Sequence, residues 1–140
     1  MQRNLRTVSI LGSVMILGLT GCLAPQASDP IPSYDGARLY RENCATCHGK
    51  TGVGDGPMVP HLKTSPSNLR TLSALNDGQF PRMAVLRQID GRDSRPGHGS
   101  TEMPVWGWVF SHTDTDMRDP VKQAQARIDA LVDHIETIQD

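Results

Sequence analysis

The sequence predicts a small all-α domain: three to five helices joined by long loops. Three observations support this. The last twenty residues repeat apolar side chains at helical spacing, and a shorter helical pattern recurs before position 90. The 13 glycines and 10 prolines fall largely in clusters between these patterns, where they break regular structure. No segment reads convincingly as a strand.

Taken in order, residues 1–21 read as an export leader. Arg3 and Arg6 give a positive start, and residues 8–19 form an uncharged apolar stretch. That stretch is short of the ~20 residues a membrane span needs. Asn4 and Leu5 separate the arginines, which favours export of the unfolded chain over the twin-arginine route. The leader ends in Leu19-Thr20-Gly21-Cys22, which resembles a bacterial lipobox with Cys22 as the acylated first residue. Each buried lipid CH2 contributes ~0.8 kcal/mol, so several acyl chains on Cys22 would anchor the protein at a membrane. Residues 22–33, with three prolines, form a semi-rigid tether, and residues 34–140 form the domain. Leu23 follows Cys22 where some bacteria place an inner-membrane retention aspartate, so the choice of membrane stays open.

The first helix is expected from residue 34 or 35 to 43, with Ser33 as N-cap and Asp35 suited to the positive helix start. Residues 49–66 read as loop. A short helix is expected over 68–75 and a longer one over 80–90, with Phe80, Met83, Leu86 and Ile89 on its apolar face and Gly91 ending it. Residues 91–118 read as irregular. Asp119 caps the last helix and Pro120 fills its first turn, and Val121, Ala124, Ile128, Leu131, Val132, Ile135 and Ile138 form the stripe.

Chemistry enters at Cys44-Ala45-Thr46-Cys47-His48. With Cys22 assigned to lipid, these are the remaining two of the three cysteines. A redox dithiol shares the Cys-x-x-Cys spacing, but the histidine in fifth place marks c-type haem attachment, and the βαβ setting of a thioredoxin-like site is missing. A zinc site would need a second ligand pair. Two thioethers would fix the porphyrin edge and aim His48 at the iron. One motif implies one haem c.

Removing the leader leaves 119 residues with a net charge of about −3, which argues against nucleic acid as a partner. With only two each of Trp, Tyr and Phe, the chain needs help to form a core. A haem burying several hundred Å2 of apolar surface would contribute on the order of 10 kcal/mol.

The second iron ligand separates the functions open to such a haem. Candidates are His61, His98, His112, His134, Met58, Met83, Met103 and Met117. Met83 reads as helix packing and His134 sits in the last helix. Met58 follows too soon after His48. Met103 lies beyond two helices, and Pro104 biases it to an extended backbone. It leads, followed by His98 and an open site. Arg70, Arg87, Arg92 and Arg95 are candidate propionate partners, with Arg92 first beside Gly91, and Trp106 and Trp108 are candidate pocket walls.

Residues 34–138 resemble a class I bacterial cytochrome c. The resemblance rests on Gly36-x-x-Leu39-Tyr40 before Cys44-x-x-Cys47-His48-Gly49, then Gly54-Asp55-Gly56-Pro57 and Pro66-x-Asn68-Leu69. Ile89-Asp90-Gly91-Arg92, Met103-Pro104-Val105-Trp106-Gly107 and Leu131-Val132-x-x-Ile135 follow. It implies a cytochrome c fold, crossing first and last helices, His48 and Met103 as axial ligands, and a Pro57 carbonyl accepting the His48 ring proton. His134 stands where the family usually has an aromatic opposite Tyr40; it can stack there, but protonation would weaken the contact.

The expected function is a monomeric one-electron carrier, not an enzyme, tethered at the periplasmic face and docking transiently with redox partners at the haem edge. The Asp114, Asp116 and Asp119 loop and the arginines of residues 82–95 are opposed charges that could steer docking. A gas sensor with a labile sixth ligand, a peroxidase and a subunit of a larger oxidoreductase are the alternatives.

Overall fold

The computed structural model describes residues 32–91, 103–113 and 118–140. The leader, Cys22 and most of the tether lie outside them, as do Arg92, Arg95, His98, Asp114, Asp116 and Met117. The described residues form five α-helices, α1 (Gly36–Asn43), α2 (Ala45–His48), α3 (Arg82–Asp90), α4 (Trp106–His112) and α5 (Pro120–Thr137), with three single 3-10 turns. No strand occurs among them, and the fold is that of a small all-α cytochrome c.

Helix α5 is the hub, packing against α1, α3 and α4. Its apolar stripe explains this: Ala124, Ile128, Leu131, Val132 and Ile135 are all buried. Leu39, Tyr40, Ile89 and Phe110 complete the core from the other three helices. Asp119 caps α5 by accepting from the Lys122 amide at 3.1 Å, with Pro120 in the first turn as expected. Val121 departs from the predicted stripe. It is 72% exposed, because the first turn of α5 extends beyond the partners that cover the rest.

The α1–α5 crossing is unusually close. A Cβ added at Gly36 would lie 2.0 Å from the Ala130 carbonyl oxygen, so only glycine lets the backbones approach this far. One turn later Tyr40 is 1% exposed, its ring tilted against His134 with centroids 5.2 Å apart. Asp35, not Ser33, caps α1, its carboxylate accepting from the Arg38 amide.

Two other elements differ from expectation. The helix foreseen over 68–75 is instead two 3-10 turns, Leu69–Thr71 and Ala74–Asn76, broken where Asp77 turns left-handed at φ +52° just beyond them. Helix α4 lies where irregular chain was expected. Its pattern is weak, but Phe110 is buried in the core and Trp106 packs against Phe110, so tertiary contacts hold it. Helix α3 begins at Arg82 and ends at Gly91, which takes φ +92°. Met83 is 57% exposed there; Val85, Leu86 and Ile89 are the residues that pack inward.

Gly36→Ala is therefore expected to lower stability by about 1–3 kcal/mol through overpacking. Chemical denaturation of the haem-loaded protein would show a lower midpoint with an unchanged slope.

Candidate functional site

The turn carrying the Cys-x-x-Cys-His motif is wound by backbone bonds onto Cys44, whose carbonyl accepts from the Cys47 and His48 amides at 3.1 and 2.9 Å. That winding brings both thiols and the imidazole to one cavity of about 480 Å3. Its walls are largely apolar and include Leu69, Leu72, Val85, Ile89, Met103 and Trp106. The size and lining suit a large flat ligand with few polar groups.

Both cysteines are free and half-buried. Burial, with the nearby Cys47 adding to it, pushes the Cys44 thiol up to about 12. A dithiol oxidoreductase lowers its attacking thiol's pKa to form thiolate, so the environment of Cys44 opposes that reading. The same dry surroundings push the His48 ring below its ordinary pKa, with the Ser67 carbonyl partly opposing. His48 is thereby held neutral, the form that ligates a metal.

The second ring nitrogen of His48 is also accounted for. Nδ1 lies 3.1 Å from the Ser67 carbonyl, which orients the ring and leaves Nε2 as the nitrogen that could ligate a metal. This corrects the expectation for Pro57. The Gly56–Met58 turn is bound to the back of the motif, its amides donating to the Cys47 and Thr46 carbonyls. Pro57 is left exposed and away from the cavity, while Ser67 comes round to His48 because the Leu69 amide donates to Gly52 at 2.7 Å. A backbone acceptor supplied by a returning loop has no side-chain signature, which is why sequence reasoning missed Ser67. Tyr40 holds the other flank of the motif, its buried hydroxyl donating to the Gly49 carbonyl at 2.8 Å.

Among the described sixth-ligand candidates, Met103 lines this cavity. Met58 and Met83 are exposed on the outside, and His61 sits in an exposed 3-10 turn. His112 stacks on Trp108 at 4.6 Å and His134 leans on Tyr40. Trp106 is a cavity wall as expected, but Trp108 is not: it is 62% exposed on the outer face of α4, two residues round the helix. Of the candidate propionate partners, Arg70 is engaged with the Asp140 carboxylate and Arg87 is exposed; Arg92 and Arg95 lie outside the described residues. The opposed-charge reading loses two members. Arg82 pairs with Asp133 and Glu136 on α5, and Asp119 pairs with Lys122 at 3.0 Å.

Two thiols on one helical turn, a neutral oriented imidazole beside them and an apolar cavity in front are the donor set of a c-type cytochrome. A family described as cytochrome c oxidase, cbb3-type, subunit III matches residues 34–122, and the chain belongs to that family. It is 29% identical over 98 residues to cytochrome c-555 of Methylococcus capsulatus, covering 68% of each chain. No solved structure matches the chain. The protein is a haem c electron-transfer protein.

The Tyr40–His134 contact predicts a pH dependence. Burial, the leading cause, and the nearby Arg41 lower the His134 pKa, while Asp35 raises it; the net shift is downward. The unfolded chain then binds the proton more readily, so this contribution is full above the unfolded value of about 6.5 and is lost as pH falls through the folded one. Denaturation midpoints at pH 7.5 and pH 5 should converge in His134→Phe relative to the unmodified protein.

Proposed function

We propose that the chain is a monohaem, one-electron carrier with His48 and Met103 as axial ligands, lipid-anchored through Cys22 at the periplasmic side of a bacterial membrane. The observation that carries this reading is that Met103 shares one apolar cavity with Cys44, Cys47 and His48. Cys44 and Cys47 hold the group by two thioethers, and the single motif in the sequence supports one haem. When bound, the haem supplies the ferric–ferrous couple.

The protein's own residues adapt that couple for transfer without chemistry. Leu69, Leu72, Val85 and Ile89 exclude water, and a thioether sulfur opposite a histidine favours the reduced state and a raised potential. The Ser67 carbonyl keeps the His48 ring in one orientation, so little has to move when the charge changes. A peroxidase would want polar acid–base groups over an open iron position; among the described residues that side of the cavity is formed by Met103, Pro104 and Trp106.

Partner contact is small and transient, in the class below ~1,200 Å2, which suits a carrier that must release after each electron. The tether of residues 22–33 keeps the domain near a membrane while letting it reorient, and the chain works as a monomer with no role for nucleic acid. The oxidase-subunit description of the family favours a second reading, a permanent subunit of a membrane oxidoreductase. Co-purification at fixed stoichiometry from detergent extracts would favour the subunit; isolation alone favours the carrier.

A redox titration followed by optical and magnetic circular dichroism spectroscopy tests the ligation. Met103→Ala is expected to abolish the low-spin methionine-ligated spectrum and lower the potential; an unchanged spectrum would sink the assignment. For the anchor, Cys22→Ala is expected to abolish metabolic labelling with fatty acid and release the protein from the membrane fraction. Persistent labelling would exclude Cys22 as the site.

A further inference from the structure

Gln139 is not part of the cavity, yet its side chain is fully engaged close behind it. One amide hydrogen goes to the Leu69 carbonyl at 2.7 Å and the other to the Ile135 carbonyl at 2.8 Å. The amide oxygen accepts from the Ser73 amide at 2.9 Å. The orientation is chemically determined: turned over, the oxygen would face two carbonyls and the NH2 would face an N–H. Beside it, the Asp140 amide donates to the Arg70 carbonyl at 3.0 Å, and the Arg70 guanidinium pairs with the Asp140 carboxylate. Residues 69–73 are thus fastened to the end of α5, the core helix.

The same segment starts two residues after Ser67. Asn68 couples the two, its side chain accepting from the Arg70 amide at 2.9 Å, while the Leu69 amide is held by Gly52 at 2.7 Å. Leu69 is therefore fixed from both sides, by Gly52 at its amide and Gln139 at its carbonyl. The segment has no regular helix of its own to keep it rigid, only two 3-10 turns. The Ser67 carbonyl that faces His48 Nδ1 is carried by this anchored segment.

We infer that Gln139 is a positioning residue for the proximal ligand: by clamping Leu69 and Ser73 to α5, it sets the Ser67 carbonyl that orients and polarises His48. This rests on His48 being the axial ligand. A firm acceptor at Nδ1 gives the imidazole more anionic character and stabilises ferric iron. Loosening the clamp therefore moves the equilibrium toward ferrous.

The test uses the haem-loaded protein with Gln139→Ala and Gln139→Glu. The second keeps the shape and the acceptor for Ser73 but removes both donors. Gln139→Ala is expected to raise the reduction equilibrium constant roughly threefold or more; Gln139→Glu adds a negative charge that itself favours ferric iron, so it is read on the haem methyl groups, whose paramagnetic shifts both variants are expected to rearrange as the ring reorients. The Ser73 amide should lose hydrogen-exchange protection in Gln139→Ala and keep more of it in Gln139→Glu. Arg82→Ala, which removes the α3–α5 ion pairs, serves as the control for general loosening and should leave the potential and methyl shifts in place. Should the unmodified protein lack a histidine-ligated low-spin spectrum, the ligand reading fails and takes this inference with it. If that spectrum is present and Gln139→Ala loads haem with the potential and methyl shifts of the unmodified protein, or Gln139→Glu with its methyl shifts, the inference alone is overturned.

Discussion

The closeness of α1 to α5 governs what the rest of the chain can do. Gly36 lets the backbones meet at Ala130, which brings Tyr40 down into the core and over His134. Because α1 runs almost directly into the motif turn, its placement on α5 also places Cys44, and Tyr40 adds a hydroxyl bond to Gly49 on the far side of the motif. A helix pair with an ordinary separation would leave Tyr40 short of one contact or the other. The haem-binding turn is thus held at both ends by a crossing that contains no haem ligand.

The scarcity of aromatics gives that crossing its weight. Nine buried apolar residues make up the core among the described residues, and one side of it gives directly onto the cavity through Ile89 and Ile135. Leu69, Leu72 and Trp106 pack on the core with one surface and face the cavity with the other. The cavity wall and the core are therefore one apolar body. Filling the cavity stabilises the fold by the same area burial that raises the potential, since both follow from removing water.

Elements with a strong period or a covalent signature were legible in the sequence. Helix α5, with its cap, first-turn proline and stripe, can be read off directly, and so can the Cys-x-x-Cys-His turn and the stop at Gly91. Helix α4 could not. Trp106 and Trp108 point to opposite sides of it, and the packing of Phe110 and Trp106 on the core, which no sequence period announces, gives it a reason to be helical. Met83 and Val121 show the converse failure: spacing put them on an apolar face, but both sit in the first turn of their helices and are exposed. Ser67 could not be foreseen because its contribution is a carbonyl, and every residue has one.

That last point separates two layers of the site. The first layer of the proposed site, Cys44, Cys47, His48 and Met103, consists of side chains with distinctive chemistry, and a sequence displays them openly. The second layer is backbone, positioned by ordinary polar side chains such as Asn68 and Gln139, whose amides serve equally well in any loop. Tuning a potential depends on the second layer, since ring orientation and acceptor strength at Nδ1 are set there while ligand identity stays fixed. Two chains with the same motif and the same methionine can therefore differ in potential through residues that no ligand inventory would include. In this protein the arrangement behind His48 runs from Ser67 through Asn68 and Leu69 to Gln139, and it ends on α5, the helix on which Tyr40 and the motif also depend.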